Sequence, residues 1–215
     1  MSVNALSLTA ARARAPIAIA ATAIVWLAML IGGGRGSPLD VAPARTLYVG
    51  GNDTLTRNAI LFTEIGSGVV LLPLALLVTA FLAWRRRRRA ALFLIMVVGG
   101  RFLVELQKAV TARPRPDEAP HLAVVHSLAY PSGHAANAMI TALAIALLLP
   151  VRQRNRAIAV GIGIALALQI GASRVMLGVH WPSDVVGGWA FGLMWVIICM
   201  RLANVRPETE ADTTR

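Results

Sequence analysis

Residues 171–188, GASRVMLGVHWPSDVVGG, set an arginine (Arg174), a histidine (His180) and an aspartate (Asp184) between two apolar runs. His180 and Asp184 are four apart, a spacing that stacks side chains on one face of a helix. Pro182 predicts instead that the helix proper begins around 181–184, so that the pair straddles a tight turn. In either geometry the carboxylate reaches the imidazole. It fixes the ring's tautomer and strengthens it as base or nucleophile. Arg174, six residues before the histidine, adds a permanent forked cation suited to a phosphate or carboxylate. Alone, the stretch reads equally well as a solvated loop carrying an ion pair.

Two further segments tip the balance. KAVTARPRP carries Lys108 and, seven residues on, Arg115-Pro116; YPSGH carries Ser132, Gly133 and His134. Lysine and arginine supply point and forked positive charge for a phosphoryl group. A Ser-Gly pair opening a helix offers a hydroxyl and backbone N–H groups at the positive end of the helix dipole, and glycine lets an anion approach the backbone. His134, just inside that helix, is placed to deliver a proton.

These residues must be positioned by apolar helices. The chain has 215 residues, 57% hydrophobic content and a mean hydropathy of +0.66, the composition of a polytopic membrane protein. The expected fold is all-α, with spans at about 16–34, 61–84, 90–107, 133–151, 156–173 and 185–202. Together these make one domain over residues 1–205, followed by a charged, disordered tail at 206–215. Residues 35–60 read as a polar loop whose later part, from Asp53, starts a short interfacial helix. The 108–132 segment reads as a second long loop, and the arginine run 85–89 as a tight hairpin. One cysteine, Cys199, in an apolar run excludes a disulfide framework and a cysteine metal site. The net charge of +11 would point to nucleic acid in a soluble protein. Here the basic residues gather at the ends of apolar runs, as membrane topology requires, so no nucleic-acid partner is expected.

Counting those charges orients the chain. With six spans, the termini and the 85–89 and 152–156 loops share one side and hold thirteen of the 21 basic residues. The other side holds seven, and Arg101 falls within a span. Both termini are therefore expected in the cytosol, and the loops carrying Lys108–His134 and Arg174–Asp184 outside it, in a multi-pass plasma-membrane protein. Parity then brings the end of span three, the start of span four, the end of span five and the start of span six to one extracytoplasmic face.

Taken together, the three segments resemble the signature of the type-2 phosphatidic acid phosphatase family, which also includes glucose-6-phosphatase and soluble vanadium haloperoxidases: K-x6-RP, then PSGH, then SR-x5-H-x3-D. All three are complete, in order and correctly spaced across residues 108–184. The resemblance implies a metal-independent, cofactor-free phosphatase in which His180 attacks phosphorus to form a phosphohistidine, Asp184 holds its ring and His134 protonates the leaving oxygen. Lys108, Arg115, Ser132, Gly133 and Arg174 would bind the phosphate. Arg113-Pro114 is a second Arg-Pro two residues early; spacing favours Arg115 as the ligand and makes Arg113 a supporting charge.

Arg101 and Glu105, four apart within span three, are expected to form an internal ion pair facing the bundle, the alternative being that Glu105 orients Lys108. Trp84, Trp181 and Trp189 are expected as interfacial anchors, and Gly187-Gly188 as a close helix contact. The function implied is hydrolysis of a lipid phosphate or diphosphate whose tail stays in the bilayer: undecaprenyl diphosphate, phosphatidic acid or phosphatidylglycerophosphate. Two alternatives compete with it, lipid phosphotransfer through the same phosphohistidine and a non-catalytic lipid-binding or transport protein.

Overall fold

Apolar runs of this length can leave water only if every backbone group is bonded within its own segment, which a helix achieves. In the computed structural model, which describes residues 3–205 with side-chain detail from Arg14 onward, every regular element is helical. In chain order these are α1 (Val3–Gly32), α2 (Pro38–Leu47), α3 (Asp53–Ile65), α4 (Gly68–Arg85) and α5 (Arg87–Leu94). A π-helical turn (Ile95–Gly99) follows, then α6 (Gly100–Thr111), α7 (Gly133–Leu148), α8 (Gln153–Met176) and α9 (Pro182–Ala203). The tail expected to be disordered, from Arg206, lies outside the described residues.

Five stretches are long and apolar enough to cross a membrane: Arg14–Gly32, Asp53–Arg85, Arg87–Thr111, Gln153–Met176 and Pro182–Ala203. The remaining apolar helix, α7, has 16 residues. At 1.5 Å per residue it is about 24 Å long, short of the ~30 Å hydrocarbon core. It is also the most enclosed helix. Five of its six alanines and its Met139, Ile140, Leu143 and Leu148 are buried, and α9 closes onto it where Gly188 and Gly192 leave no side chain between the backbones. A Cβ on Gly188 would lie 2.7 Å from the Ser132 carbonyl, and one on Gly192 would lie 2.9 Å from that of Ala136. The expected close contact at Gly187-Gly188 is therefore between α9 and the start of α7. Outward-facing Val69, Leu76, Leu77, Val110, Ile158 and Ile162 are exposed, an apolar surface that matches lipid rather than water.

Three expectations are corrected. Residues 35–60 are not mainly loop. Ser37 caps α2, its hydroxyl accepting from the Leu39 N–H at 3.2 Å, with Pro38 at the first helical position and Asp40 in the first turn. The helix from Asp53 forms and runs to Ile65, so it takes over the start of the span expected at 61–84, and a break at Gly66 and Ser67 separates it from α4. Trp181 is fully buried, and its indole N–H donates to the Pro114 carbonyl at 3.1 Å; it packs the loop beneath the site. Trp84 is exposed, whereas Trp189 is half-buried and donates to the Ala167 carbonyl at 2.9 Å.

Candidate active site

Each helix that carries a motif ends at the same end of the bundle. Ala112, with φ 46°, stops α6 four residues after Lys108. The chain then runs without regular structure to Ser132, the N-cap of α7. On the other side, α8 ends at Met176, and Gly178 (φ 71°) turns the chain toward His180. A side chain at Gly178 would be strained by that φ, and its Cβ would press on the Tyr48 ring at 3.1 Å. Pro182 then opens α9. The Ser132 N–H donates to the Asp184 carbonyl at 2.9 Å, tying the starts of α7 and α9 together.

At the centre is His180, 2% exposed. Its Nδ1 lies 3.2 Å from Asp184 Oδ2, so the pair straddles the N-terminal turn of α9. The same oxygen accepts the Trp181 N–H at 2.9 Å, the reach-back of an acidic residue at the third helical position. With Nδ1–H directed to the carboxylate, the lone pair resides on Nε2. Burial first, then the charges of Arg115, Arg174 and Lys108, hold this imidazole well below its ordinary pKa. That direction favours the neutral ring, with its Nε2 lone pair free, at physiological pH.

The cations converge from three elements. Lys108 is buried, and its Nζ lies 3.5 Å from where a Gly133 Cβ would sit, which places the ammonium against the start of α7. Its ammonium donates to Ser127 Oγ at 2.9 Å and pairs with Glu105 at 3.6 Å. Arg115 also holds Ser127, donating from Nε to its carbonyl at 2.7 Å and from Nη2 to its hydroxyl at 3.2 Å, while its Nη1 donates to the Val179 carbonyl beside His180. Arg174 reaches across to α3, donating from Nη1 to the buried Thr63 hydroxyl. Its Nε and the Ser132 hydroxyl are both buried, with no hydrogen-bond partner among the described residues. One donor nitrogen and one hydroxyl are thus left for a ligand to satisfy. Ser132 has already committed its own N–H to Asp184, so the backbone donors left at the start of α7 are those of Gly133, His134 and Ala135. His134 is half-buried beside Gly66, whose Cβ position is 3.4 Å from the ring.

The structure therefore gathers all eight sequence-predicted residues: His180, His134, Asp184, Lys108, Arg115, Ser132, Gly133 and Arg174. It separates one predicted pair. Arg101 does not bond Glu105; the carboxylate turns to Lys108 instead. Arg113 proves to stand behind Asp184 rather than beside the cations as a supporting charge. It is buried and donates from Nη1 to Asp184 Oδ1 at 3.0 Å and to Ser183 Oγ at 2.9 Å. Its Nη2 donates to the carbonyls of Met29 and Leu30, and its guanidinium lies 4.3 Å from the Tyr130 ring centroid. Asp40, also fully buried, accepts the Ser183 N–H at 2.7 Å and hydroxyl at 2.6 Å. The second Arg-Pro hinted at Arg113, and Ser37-Pro38 before Asp40 was a helix-start signal. Nothing in the sequence singled out Ser127 or Thr63.

A cavity of about 380 Å³ reaches His180 from the α2 side, between Arg45, Tyr48, Pro116 and Glu118. Among the described residues no group of three or more His, Cys, Asp or Glu side chains gathers as a metal-ligand set.

A family model described as the PAP2 superfamily matches residues 89–208. Phosphatidylglycerophosphatase B of Bacillus subtilis (strain 168) is 35% identical over 139 residues, covering 61% of this chain and 67% of that protein. Undecaprenyl-diphosphatase of Sulfolobus acidocaldarius is 27% identical over 184 residues, covering 83% and 85%. Among solved structures, the transmembrane PAP2 type phosphatidylglycerolphosphate phosphatase from Bacillus subtilis superposes with a TM-score of 0.78 at 27% identity, over 86% of this chain and 96% of that one. Aquifex aeolicus LpxE superposes with a TM-score of 0.58 at 27% identity, over 75% and 94%.

Proposed function

The chain belongs to the PAP2 superfamily and is a phosphatase, and we propose that it hydrolyses a lipid phosphate or diphosphate through a phosphohistidine on His180. The observation that carries this reading is the pairing of Asp184 with Nδ1 of a buried imidazole ringed by Lys108, Arg115 and Arg174. In the first step His180 Nε2 forms a bond to phosphorus as the bond to the leaving oxygen breaks, and His134 gives that oxygen its proton. The phosphate's own negative charge favours the protonated form of His134 on binding. In the second step water attacks the phosphohistidine, His134 takes the water's proton, and phosphate leaves with His180 restored. The three cations, the Ser132 hydroxyl and the first N–H groups of α7 stabilise the equatorial oxygens, so catalysis is positioning plus electrostatics.

A site at the ends of apolar helices suits a substrate whose tail remains in the bilayer. The arginine distribution supports six crossings with α7 as the shortest, both termini cytosolic and the site on the extracytoplasmic face of the plasma membrane. The similar proteins are phosphatases of phosphatidylglycerophosphate and undecaprenyl diphosphate by name, and both classes are proposed here. The test is phosphate release from a panel of lipid phosphates by purified protein, with and without chelator and with a labelled alcohol acceptor. Chelator-insensitive release of free phosphate is expected. Label in the acceptor would make the protein a transferase, and chelator-sensitive release would end the metal-free reading.

A further inference from the structure

The back of the site holds more charge than a clamp needs. Asp40 sits in the first turn of α2, outside the three motif segments, and is fully buried. Its Oδ1 accepts the Ser183 N–H at 2.7 Å, and its Oδ2 accepts the Ser183 hydroxyl at 2.6 Å and the Gly34 N–H at 2.5 Å. Three donors face it, as suits an ionised carboxylate. It also stands at the N-terminal turns of two helices, α2 and α9, whose dipoles favour a negative charge there. A Cβ on Gly33 would fall 2.0 Å from the Ser183 hydroxyl, so the end of α1 packs directly on the cluster. Ser183 links this carboxylate to the nucleophile. Its hydroxyl accepts Arg113 Nη1 at 2.9 Å, and the same nitrogen donates to Asp184 Oδ1 at 3.0 Å, while the other Asp184 oxygen holds His180. One guanidinium thus serves two buried carboxylates, and Asp40 lies within electrostatic reach of Asp184.

Arg113 and Asp184 alone cancel; Asp40 leaves the cluster one negative charge in excess. From α1, Arg113 meets the uncharged carbonyls of Met29 and Leu30, and on its other face the Tyr130 ring. A buried excess charge is costly unless something offsets it. The His180 ring does so during the reaction. When Nε2 gives its lone pair to phosphorus and Nδ1–H stays with Asp184, the imidazole becomes cationic. Lys108 of α6, Arg115, Arg174 of α8 and His134 of α7 all oppose that positive charge. Arg45 and Glu118, across the cavity, are exposed and screened by solvent. Asp184 is the buried acid that faces the ring, and Arg113 offsets it. We infer that Asp40 is a positioning residue for the nucleophile: it holds Ser183 and Arg113, and its charge leaves the Asp184 side net negative, which stabilises the ring as it turns cationic. The inference rests on His180 acting as proposed above.

The test uses the full chain in detergent with a lipid phosphate that it hydrolyses. Asp40→Asn keeps the size of the side chain and removes its charge. Its kcat should fall about tenfold, the scale of one unit charge acting across a buried cluster. KM should stay within about twofold, because the charge acts on the ring and not on bound substrate. The acid limb of kcat/KM should move to lower pH, since the ring then protonates without a negative neighbour. The same measurement in the Arg115→Gln chain, where one opposing cation is gone and the limb stands higher, keeps that move readable. Ser183→Ala is the control. It removes the two bonds of the hydroxyl and keeps the Asp40 charge, so kcat should fall no more than about threefold and the limb should stay. Should Asp40→Asn not fold, Asp40→Ser carries the same comparison. An unmoved limb in the Asp40 variant, an equal shift in Ser183→Ala, or a loss carried by KM would overturn the role of the charge and leave the phosphatase reading intact. Substantial turnover in His180→Ala would instead remove the nucleophile, and this inference with it.

Discussion

The two sides of the His180 ring are built on opposite principles. Behind it, every strong polar group has a partner. Asp184 receives His180, Trp181 and Arg113, Arg113 also holds Ser183 and two carbonyls of α1, and Asp40 holds Ser183 again. In front of it, three like charges are held close together, and a buried hydroxyl and a buried guanidinium nitrogen have no partner. A saturated network is rigid and contributes fold and orientation. An unsaturated one is costly to the empty protein and favours an anion that brings acceptor oxygens. The geometry thus separates holding the His180 ring from presenting unpartnered donors, and the two sides should fail differently when altered.

The largest effect is expected at the ring itself. His180→Ala should lower turnover by roughly 10⁴-fold or more, the scale of losing a covalent nucleophile, with helicity and elution unchanged. Substantial residual phosphate release would mean that another group attacks phosphorus. On the front, Arg174→Lys should lose on the order of a hundredfold in kcat/KM, because a point charge cannot reproduce a forked donor. Its unfolding midpoint should stay near wild type, since the lysine keeps the charge and only the single bond to Thr63 is lost, about 1 kcal/mol. A large drop in stability with little change in rate would move Arg174 to the structural side.

On the back the pattern should invert. Arg113→Gln leaves a buried carboxylate without its cation, a loss of about 3–5 kcal/mol, so thermal unfolding in detergent should shift down clearly. The rate should fall about tenfold or so through kcat, with KM little changed, because Arg113 positions Asp184 without touching the phosphate. A KM effect larger than the kcat effect would place Arg113 on the substrate instead. The smallest expected change concerns pH. Positive neighbours disfavour protonation of His180, so its acid limb in kcat/KM should lie below the ordinary histidine value of about 6.5. Arg115→Gln removes one such neighbour and should move that limb upward. A limb that moves down, or not at all, would mean that the histidine titrating there is not ringed by these charges.

How much of this could be read beforehand differs between the two sides. The front was legible because phosphate chemistry restricts residue type. A lysine, two arginines and a Ser-Gly-His at a helix start leave few other uses when their spacing sets them at the ends of apolar runs. The Arg101–Glu105 pair was misjudged for a related reason: helical spacing says which side chains can meet, and Glu105 lies equally near Lys108, one turn on. Trp181 was misjudged because nearness to a span end does not reveal whether a ring faces lipid or protein; here it faces the loop at Pro114.

Local chemistry in the chain determined the helices, their apolar surfaces and the identity of the groups in front of His180, because hydropathy and residue type act over a few turns. Only the tertiary structure decided which partners stand behind them. Asp40 meets Ser183 across 143 residues, Arg174 meets Thr63 across 111, and Arg113 meets the end of α1. Those contacts are set by how α1, α2 and α3 close over the site, and no periodicity within any one segment encodes a distance to another.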